Sequence, residues 1–96
     1  MPYEILYAAE VARQDIPELP NTMKGRISRA IEERLGSEPL SYGLPLRGSL
    51  KGLWKLRVGD YRVVFKPSDE QIWILVIQHR SQVYDTAESR KGPATN

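Results

Sequence analysis

The sequence predicts an α+β domain built in two layers, with helices in the first half of the chain and an antiparallel sheet formed mainly by the second half. Three observations lead to this prediction. The first half carries one apolar stripe at helical spacing. The second half carries three short runs of branched and aromatic residues separated by turn residues. The chain has 96 residues, which suffices for one domain and not for two, so we expect a single domain over 1–96.

The first half is predicted to form one strand followed by two helices. Residues 3–7 carry aromatic and branched side chains, which favours a strand, and residues 8–14 are rich in helix formers. Pro20 suits the first turn of a second helix, where its missing N–H is not needed. The apolar stripe of that helix consists of Met23, Ile27, Ala30, Ile31 and Leu35. Gly36 is placed to end the helix, and residues 37–49 are expected to form a loop.

The second half is predicted to form a three-stranded antiparallel meander. Its strands are expected at residues 54–58, 61–65 and 71–78. Between the first two lies Gly59-Asp60, a two-residue loop whose leading glycine favours a type II′ turn. The first strand of the chain must join the same sheet, either at its edge or beside the last strand. The helices should cover one face of this sheet and leave the other face open to water.

The charge distribution indicates where a binding surface could lie. The net charge is only +2, but it is unevenly spread. Residues 1–45 hold five basic and seven acidic side chains, whereas residues 46–96 hold nine basic and five acidic ones. This asymmetry indicates either a basic surface made by the second half or an ordinary solvated surface.

The remaining composition narrows the class of protein. The chain has no cysteine, so it offers no disulfide, no thiolate nucleophile and no cysteine-based metal site. It shows no apolar run of membrane-spanning length and no secretory leader, so we expect a cytoplasmic protein with no membrane association. The sequence after Tyr84 is polar. We expect at most a turn of helix over residues 86–90 and partial disorder over 86–96.

The two-residue turn also determines which residues of the hairpin lie opposite each other. Val58 should lie across from Tyr61, and Arg57 across from Arg62. Because side chains alternate along a strand, one face should be apolar and pack on the helices: Trp54, Leu56, Val58, Tyr61, Val63 and Phe65. The opposite face is basic and consists of Lys55, Arg57, Arg62 and Val64.

Two arginines directly across from each other need an explanation, because like charges in that position destabilise a sheet. One interpretation is an anion held between Arg57 and Arg62. The other is that both guanidinium groups extend into water or pair with carboxylates of the tail, such as Asp85 or Glu88.

Residues 78–84 place an imidazole, a guanidinium and a phenol at the end of the last strand, close to the predicted basic face. Taken alone, His79 is more often a hydrogen-bonding residue of the fold, and Tyr84 is more often a packed aromatic ring. Their coincidence with three cations on one face of the sheet favours chemistry on an anion.

The hairpin and the segment after the last strand together resemble a known family. Residues 50–65 (LKGLWKLRVGDYRVVF) and 79–84 (HRSQVY) are similar to the hallmark of the RelE/ParE toxin superfamily. The order of one strand, two helices and three strands also resembles that family, so the likeness covers nearly the whole chain. The hairpin does not separate RelE-type ribonucleases from ParE-type gyrase poisons, but Tyr84 favours the RelE type.

The resemblance to RelE-type toxins implies a ribosome-dependent endoribonuclease that cleaves messenger RNA through attack of a 2′-hydroxyl on the adjacent phosphate, with no metal and no cofactor. The catalytic residues it implies are Lys55, Arg57, Arg62, Arg80 and Tyr84. The family has a further arginine near the position of Gln78, and Arg80 is the nearest guanidinium to that place. Residues expected to contact RNA are Arg47, Lys51 and His79.

The same resemblance implies two partners. One is a RelB-like antitoxin, a partly disordered protein that folds as it wraps the toxin and forms a hetero-oligomer with it. The other is a ribosome with messenger RNA in its A site. Two alternatives stay open: a ParE-like poison of DNA gyrase, and a degenerate member that only binds its antitoxin.

Overall fold

The computed structural model describes residues 3–91 of the chain. Its first half contains β1 (Glu4–Tyr7), a π-helical turn (Val11–Asp15) leading into α1 (Ile16–Glu18), then α2 (Asn21–Ala30) leading into a second π-helical turn (Ile31–Leu35), α3 (Pro39–Tyr42) and β2 (Leu44–Pro45). The second half contains a 3₁₀ turn (Gly48–Leu50), β3 (Trp54–Val58), β4 (Tyr61–Pro67), β5 (Gln71–His79) and α4 (Val83–Lys91). This arrangement confirms the predicted α+β class.

The five strands form one sheet in the order β1-β5-β4-β3-β2. β1 runs parallel to β5, and the other neighbours are antiparallel, so the predicted meander and the place of β1 beside the last strand are both confirmed. The prediction of a loop over residues 37–49 was wrong in part, because α3 and β2 lie there. Pro39 occupies the first turn of α3 and Pro45 lies on an edge strand, two places where a missing N–H does no harm.

The predicted register of the β3–β4 hairpin is confirmed pair by pair. Arg57 lies across from Arg62 and Val58 across from Tyr61. Gly59 has a φ of 62°, and no non-glycine residue among those described has a positive φ. A positive φ at the first turn position alone is the signature of a type II′ turn, so glycine is needed at this position and not at Asp60.

The first hydrophobic core lies between the helices and one face of the sheet. Its buried members are Val11, Leu19, Ile27, Ala30, Ile31, Leu35, Leu56, Val58, Val63, Phe65, Ile72, Ile74 and Ile77. The stripe predicted for the second helix is therefore buried, with Met23 packed at its margin. The apolar face predicted for the hairpin is also confirmed.

A second, smaller core covers part of the face that was predicted to be open to water, so that prediction was wrong for this part of the sheet. Its buried members are Leu50, Leu53, Val64, Val76, Val83 and Ala87. A bulge in β5 contributes, because Val64 pairs with Val76 while Phe65 already pairs with Ile74. The extra residue, Leu75, packs beside Val76 on this second face.

The helix α4 closes the second core and is longer than predicted. It runs over Val83–Lys91, so residues 86–91 of the tail are helical, and residues 92–96 of the expected disordered segment lie outside the described residues. Val83 is fully buried, which stabilises the docked helix by roughly 1.5–3 kcal/mol. None of the helices within residues 3–91 is long and apolar enough to cross a membrane.

Candidate functional site

The part of the second face that α4 leaves uncovered carries Lys55, Arg57 and Arg62, which we call the basic face. Lys55 Nζ donates a hydrogen bond of 3.1 Å to Tyr84 Oη and lies 5.5 Å from the centre of the Tyr84 ring. Both side chains are half-buried, and the Tyr84 ring packs against the second core. The sequence therefore folds so that an ammonium group and a phenol from distant parts of the chain meet on this face.

The two opposed arginines resolve their repulsion in a way that the sequence did not reveal. Nη1 of Arg62 donates hydrogen bonds of 3.0 Å to the carbonyl oxygens of Gly59 and Tyr61, in its own hairpin turn. Arg57 is exposed. Within residues 3–91 neither arginine forms an ion pair, so the pairing with Asp85 or Glu88 that the sequence left open is not found there. The exposed head of Arg57 and the remaining N–H groups of Arg62 are available to an anion.

Arg80 lies beside the hairpin turn. Its backbone N–H donates to the carbonyl oxygen of Asp60 at 2.9 Å, and its Nε is 3.9 Å from the Asp60 carboxylate. Both side chains are well exposed, at 63% and 73%. Such an exposed and long ion pair contributes little to stability, so the guanidinium of Arg80 can exchange Asp60 for another anion.

His79 does not lie on the basic face, so the expectation that its imidazole is near that face was wrong. It pairs in register with Tyr61, and the two rings meet edge to face at 5.6 Å on the side of the sheet that carries the helices. Its Nδ1 lies 2.8 Å from Ser81 Oγ and accepts the Ser81 N–H at 3.2 Å. Strand alternation puts Gln78, not His79, opposite Arg62.

Arg47 and Lys51, two residues expected to contact RNA, are exposed on the loop that precedes β3. The loop is closed by a hydrogen bond of 2.8 Å from Leu46 N–H to the Leu53 carbonyl. It is also joined to α4, because the Ser49 hydroxyl donates to Glu88. That contact and a hydrogen bond from Lys91 hold the pKa of Glu88 below its ordinary value.

A buried ion pair fixes α4, and sequence reasoning missed it. Asp15 is only 3% exposed and accepts a bidentate pair of bonds from Arg90, at 2.8 Å and 2.9 Å. Asp15 also accepts the Ile77 N–H at 2.9 Å, and Arg90 donates to the Leu75 carbonyl at 2.8 Å. The carboxylate raises the pKa of Arg90 above its ordinary value. Since Arg90 and Tyr84 share one helix, this pair helps to set where Tyr84 meets Lys55.

The physical reason for this ion pair is the part of the β5 edge that β1 leaves unpaired. β1 pairs with β5 only as far as Ile74, so the next residues of β5 have no strand on that side. Unpaired backbone groups at a covered sheet edge are costly, and Asp15 and Arg90 satisfy two of them. The one signal in the sequence was a carboxylate at helical spacing between Val11 and Leu19, within an apolar stripe.

The basic face is suited to a phosphate. Guanidinium groups bind phosphate oxygens with two parallel hydrogen bonds, and an ammonium group beside a phenol can pass a proton. Among residues 3–91 no three His, Cys, Asp or Glu side chains come together in a way that could hold a metal ion.

Known proteins resemble this chain in sequence and in fold. Residues 6–84 match the family model described as the ParE toxin of the type II toxin–antitoxin system parDE. The chain is 34% identical over 86 residues to toxin RelG of Mycobacterium tuberculosis, covering 88% of this chain and 98% of the relative. It is 35% identical over 85 residues to toxin RelE of the same organism, covering 86% and 87%.

A solved structure shows the same fold. The RelBE2 toxin–antitoxin complex of M. tuberculosis contains a chain that superposes with a TM-score of 0.76 at 32% identity, over 84% of this chain and 94% of that one. These similarities confirm the resemblance inferred from the hairpin and the segment that ends at Tyr84.

Proposed function

Because this chain belongs to the RelE/ParE superfamily of toxins from type II toxin–antitoxin systems, we propose that it is an endoribonuclease that cleaves messenger RNA on the ribosome. The observation that supports this most directly is the 3.1 Å contact between Lys55 and Tyr84, beside two cross-strand arginines on an uncovered sheet face. The contact brings together a proton-carrying pair and the cations that a phosphate needs.

The proposed reaction is attack of a ribose 2′-hydroxyl on the adjacent phosphorus. The new P–O2′ bond forms as the P–O5′ bond breaks, which leaves a 2′,3′-cyclic phosphate and a 5′-hydroxyl. The step needs a group to take the 2′ proton, a group to return a proton to the leaving 5′-oxygen, and positive charge for the phosphorane. In this proposal Lys55 and Tyr84 carry the proton transfers, and Arg57 and Arg62 stabilise the charge. These side chains supply every one of these roles, so the proposed reaction needs no metal ion.

Arg80 extends this cationic surface toward the hairpin turn. Its weak pairing with Asp60 leaves it available to a second phosphate of the message. Arg47 and Lys51 are exposed cations on the adjoining sequence, and we propose that they contact RNA outside the cleaved bond. His79 lies on the helix-covered side of the sheet, at the end of β5. We therefore propose that it contacts RNA only at that end, together with Ser81, whose hydroxyl lies 2.8 Å from its Nδ1.

We further propose that a RelB-like antitoxin neutralises this chain. The RelBE2 structure of M. tuberculosis is a toxin–antitoxin complex, and this chain matches the fold of one chain of that complex. In this proposal an antitoxin and a ribosome with message in its A site are competing partners, and the activity is cytoplasmic.

The decisive experiment adds the purified chain to ribosomes programmed with a defined message and maps new RNA ends. We expect cleavage that leaves 5′-hydroxyl ends. Tyr84→Phe and Lys55→Met should each slow cleavage by about 10²-fold or more, because each removes a proton-carrying group. Lys24→Met is the matched control, since Lys24 lies on α2, on the helix-covered side of the sheet. Intact message with folded wild-type protein contradicts the proposal.

A second candidate is a ParE-like poison of DNA gyrase, and the family model that matches residues 6–84 favours it. The two candidates differ in their dependence on Tyr84, because a gyrase poison needs no group that transfers a proton to RNA. A supercoiling assay separates them: inhibition of gyrase that survives Tyr84→Phe, with no cleavage of message, supports the second candidate.

A further inference from the structure

A second basic surface lies between α2 and the hairpin of β3 and β4, and it shares Arg57 with the basic face. It is an open groove of about 210 Å³. Its charged lining residues are Arg26, Arg29, Glu33, Arg34 and Arg57. Four guanidinium groups and one carboxylate thus share one groove, which we call the arginine groove.

The arginines of this groove are exposed and are not neutralised within the part of the chain that the structure describes. No carboxylate lies within ion-pair distance of Arg26, Arg29, Arg34 or Arg57 among residues 3–91. Glu33 lines the groove without closing onto any of them. Several like charges held together without counter-charges destabilise a protein, which indicates that an anionic ligand compensates them.

The hairpin turn leaves room for one of these guanidinium groups. A Cβ atom at Gly59 would lie 3.2 Å from Nη1 of Arg26 and 3.6 Å from its Cζ. Gly59 thus has two roles. Its positive φ allows the type II′ turn, and its missing side chain lets Arg26 lie directly over the backbone. Arg29 follows Arg26 by three residues on α2, so both heads lie on the same side of the helix.

We propose that the arginine groove binds the phosphate backbone of double-helical RNA. Arginine suits phosphate because its planar fork contacts two oxygens at once. The lining residues include no aromatic ring, and the neighbouring Tyr42 ring already has the Arg34 guanidinium over it, with Cζ 5.7 Å from the ring centre. Proteins that hold single-stranded RNA stack its bases on aromatic side chains, whereas duplex RNA is recognised mainly through its backbone and shape.

The groove adjoins the proposed cleavage site at Arg57, but its other arginines lie on α2 and the turn that follows it. α2 packs on the helix-covered side of the sheet, whereas Lys55 and Tyr84 meet on the other side. β2 pairs only with Trp54 and Lys55, so within residues 3–91 no strand covers the β3 edge at Arg57. This inference rests on the proposed function: message would lie on the basic face while a ribosomal RNA helix occupies the arginine groove.

The first test measures binding of a short RNA duplex and of its separated strand by fluorescence anisotropy at several salt concentrations. The variant is Arg26→Gln with Arg29→Gln. Its matched control is Arg13→Gln with Lys24→Gln, which removes the same charge from helical residues outside the groove. We expect the groove variant to bind the duplex about 10-fold more weakly. The slope of its log affinity against log salt concentration should be smaller by about two. The control should bind the duplex as the wild type does.

The second test uses programmed ribosomes as the substrate. The groove variant should raise the apparent KM for ribosomes by about 10-fold, since the lost contacts act in binding. Unchanged duplex binding and unchanged KM overturn the groove proposal, whatever the wild type cleaves. An equal loss of affinity for the duplex and for the separated strand also overturns it. If the wild type cleaves no message, the proposed function is wrong. The anisotropy measurements still test whether the arginine groove binds duplex RNA.

Discussion

At the scale of single residues, Arg62 shows how one side chain can serve both the fold and a ligand. The register predicts that Arg57 and Arg62 repel each other, and that repulsion amounts to roughly 0.2–1 kcal/mol. The structure adds two hydrogen bonds from Arg62 to Gly59 and Tyr61, which together stabilise by roughly 1–2 kcal/mol. The hydrogen bonds outweigh the repulsion, so Arg62 helps to hold the turn from which the basic face is built.

Replacing Arg62 by alanine should therefore reduce both cleavage and stability. We expect cleavage of message to fall by about 10²-fold, because the proposed donor to the developing phosphorane is lost. The free energy of unfolding should fall by about 1 kcal/mol, as the turn loses its two bonds. Urea denaturation and cleavage on programmed ribosomes measure the two quantities, with Arg13→Ala as the control. A variant that is more stable than the wild type shows that repulsion dominates.

At the scale of elements, the sequence predicted a helix or strand correctly wherever the element was long enough to show a periodic pattern of apolar residues. The hairpin register followed from alternation along β3 and β4 and from the two-residue turn, and the buried stripe of α2 followed from its helical spacing. α3 and β2 were missed because four and two residues are too short to show a period.

The second core could not be predicted for a different reason. It depends on the docking of α4 through Val83 and Ala87, two residues that carry no visible stripe. The docking is completed by the ion pair of Asp15 with Arg90, whose members are far apart in the sequence. The same long-range contacts place Tyr84 at Lys55, so the candidate site was predicted as a set of residues and not as a geometry.

Breaking the ion pair should loosen α4. We expect Asp15→Asn to lower the free energy of unfolding by about 3–5 kcal/mol, because it leaves Arg90 charged and largely buried without its partner. Cleavage should also slow at temperatures where circular dichroism shows a folded variant, since Tyr84 loses its fixed place beside Lys55.

A double-mutant cycle separates the ion pair from other effects at either residue. The variant with both Asp15→Asn and Arg90→Gln should lose less stability than the two single losses added together, by about 1–3 kcal/mol. Thermal unfolding of all four proteins supplies the numbers. Strictly additive losses would mean that the two side chains act independently, and that other contacts of α4, such as the burial of Val83 and Ala87, hold the helix in place.

At the scale of the whole molecule, one side of the sheet mainly stabilises the fold, and the other carries the candidate site. One side buries the larger core beneath the helices and carries the arginine groove at its margin. The other side is half closed by α4, and the cations that remain open there are the ones proposed to act on RNA. The net charge of +2 conceals both cationic surfaces, because the acidic residues of the chain offset most of the basic ones.

This arrangement predicts that the chain alone is toxic to a growing cell. Expression without an antitoxin should stop incorporation of labelled amino acid, because in the proposed activity one cleavage inactivates a whole message and each chain acts repeatedly. Tyr84→Phe is the sharpest comparison, since it removes only the hydroxyl that meets Lys55 and keeps the ring that packs on the second core. That variant should accumulate to the same level, unfold at the same temperature and permit growth. Continued translation in cells that contain the folded wild-type chain contradicts the proposed activity, and arrest by both proteins with intact message points to gyrase instead.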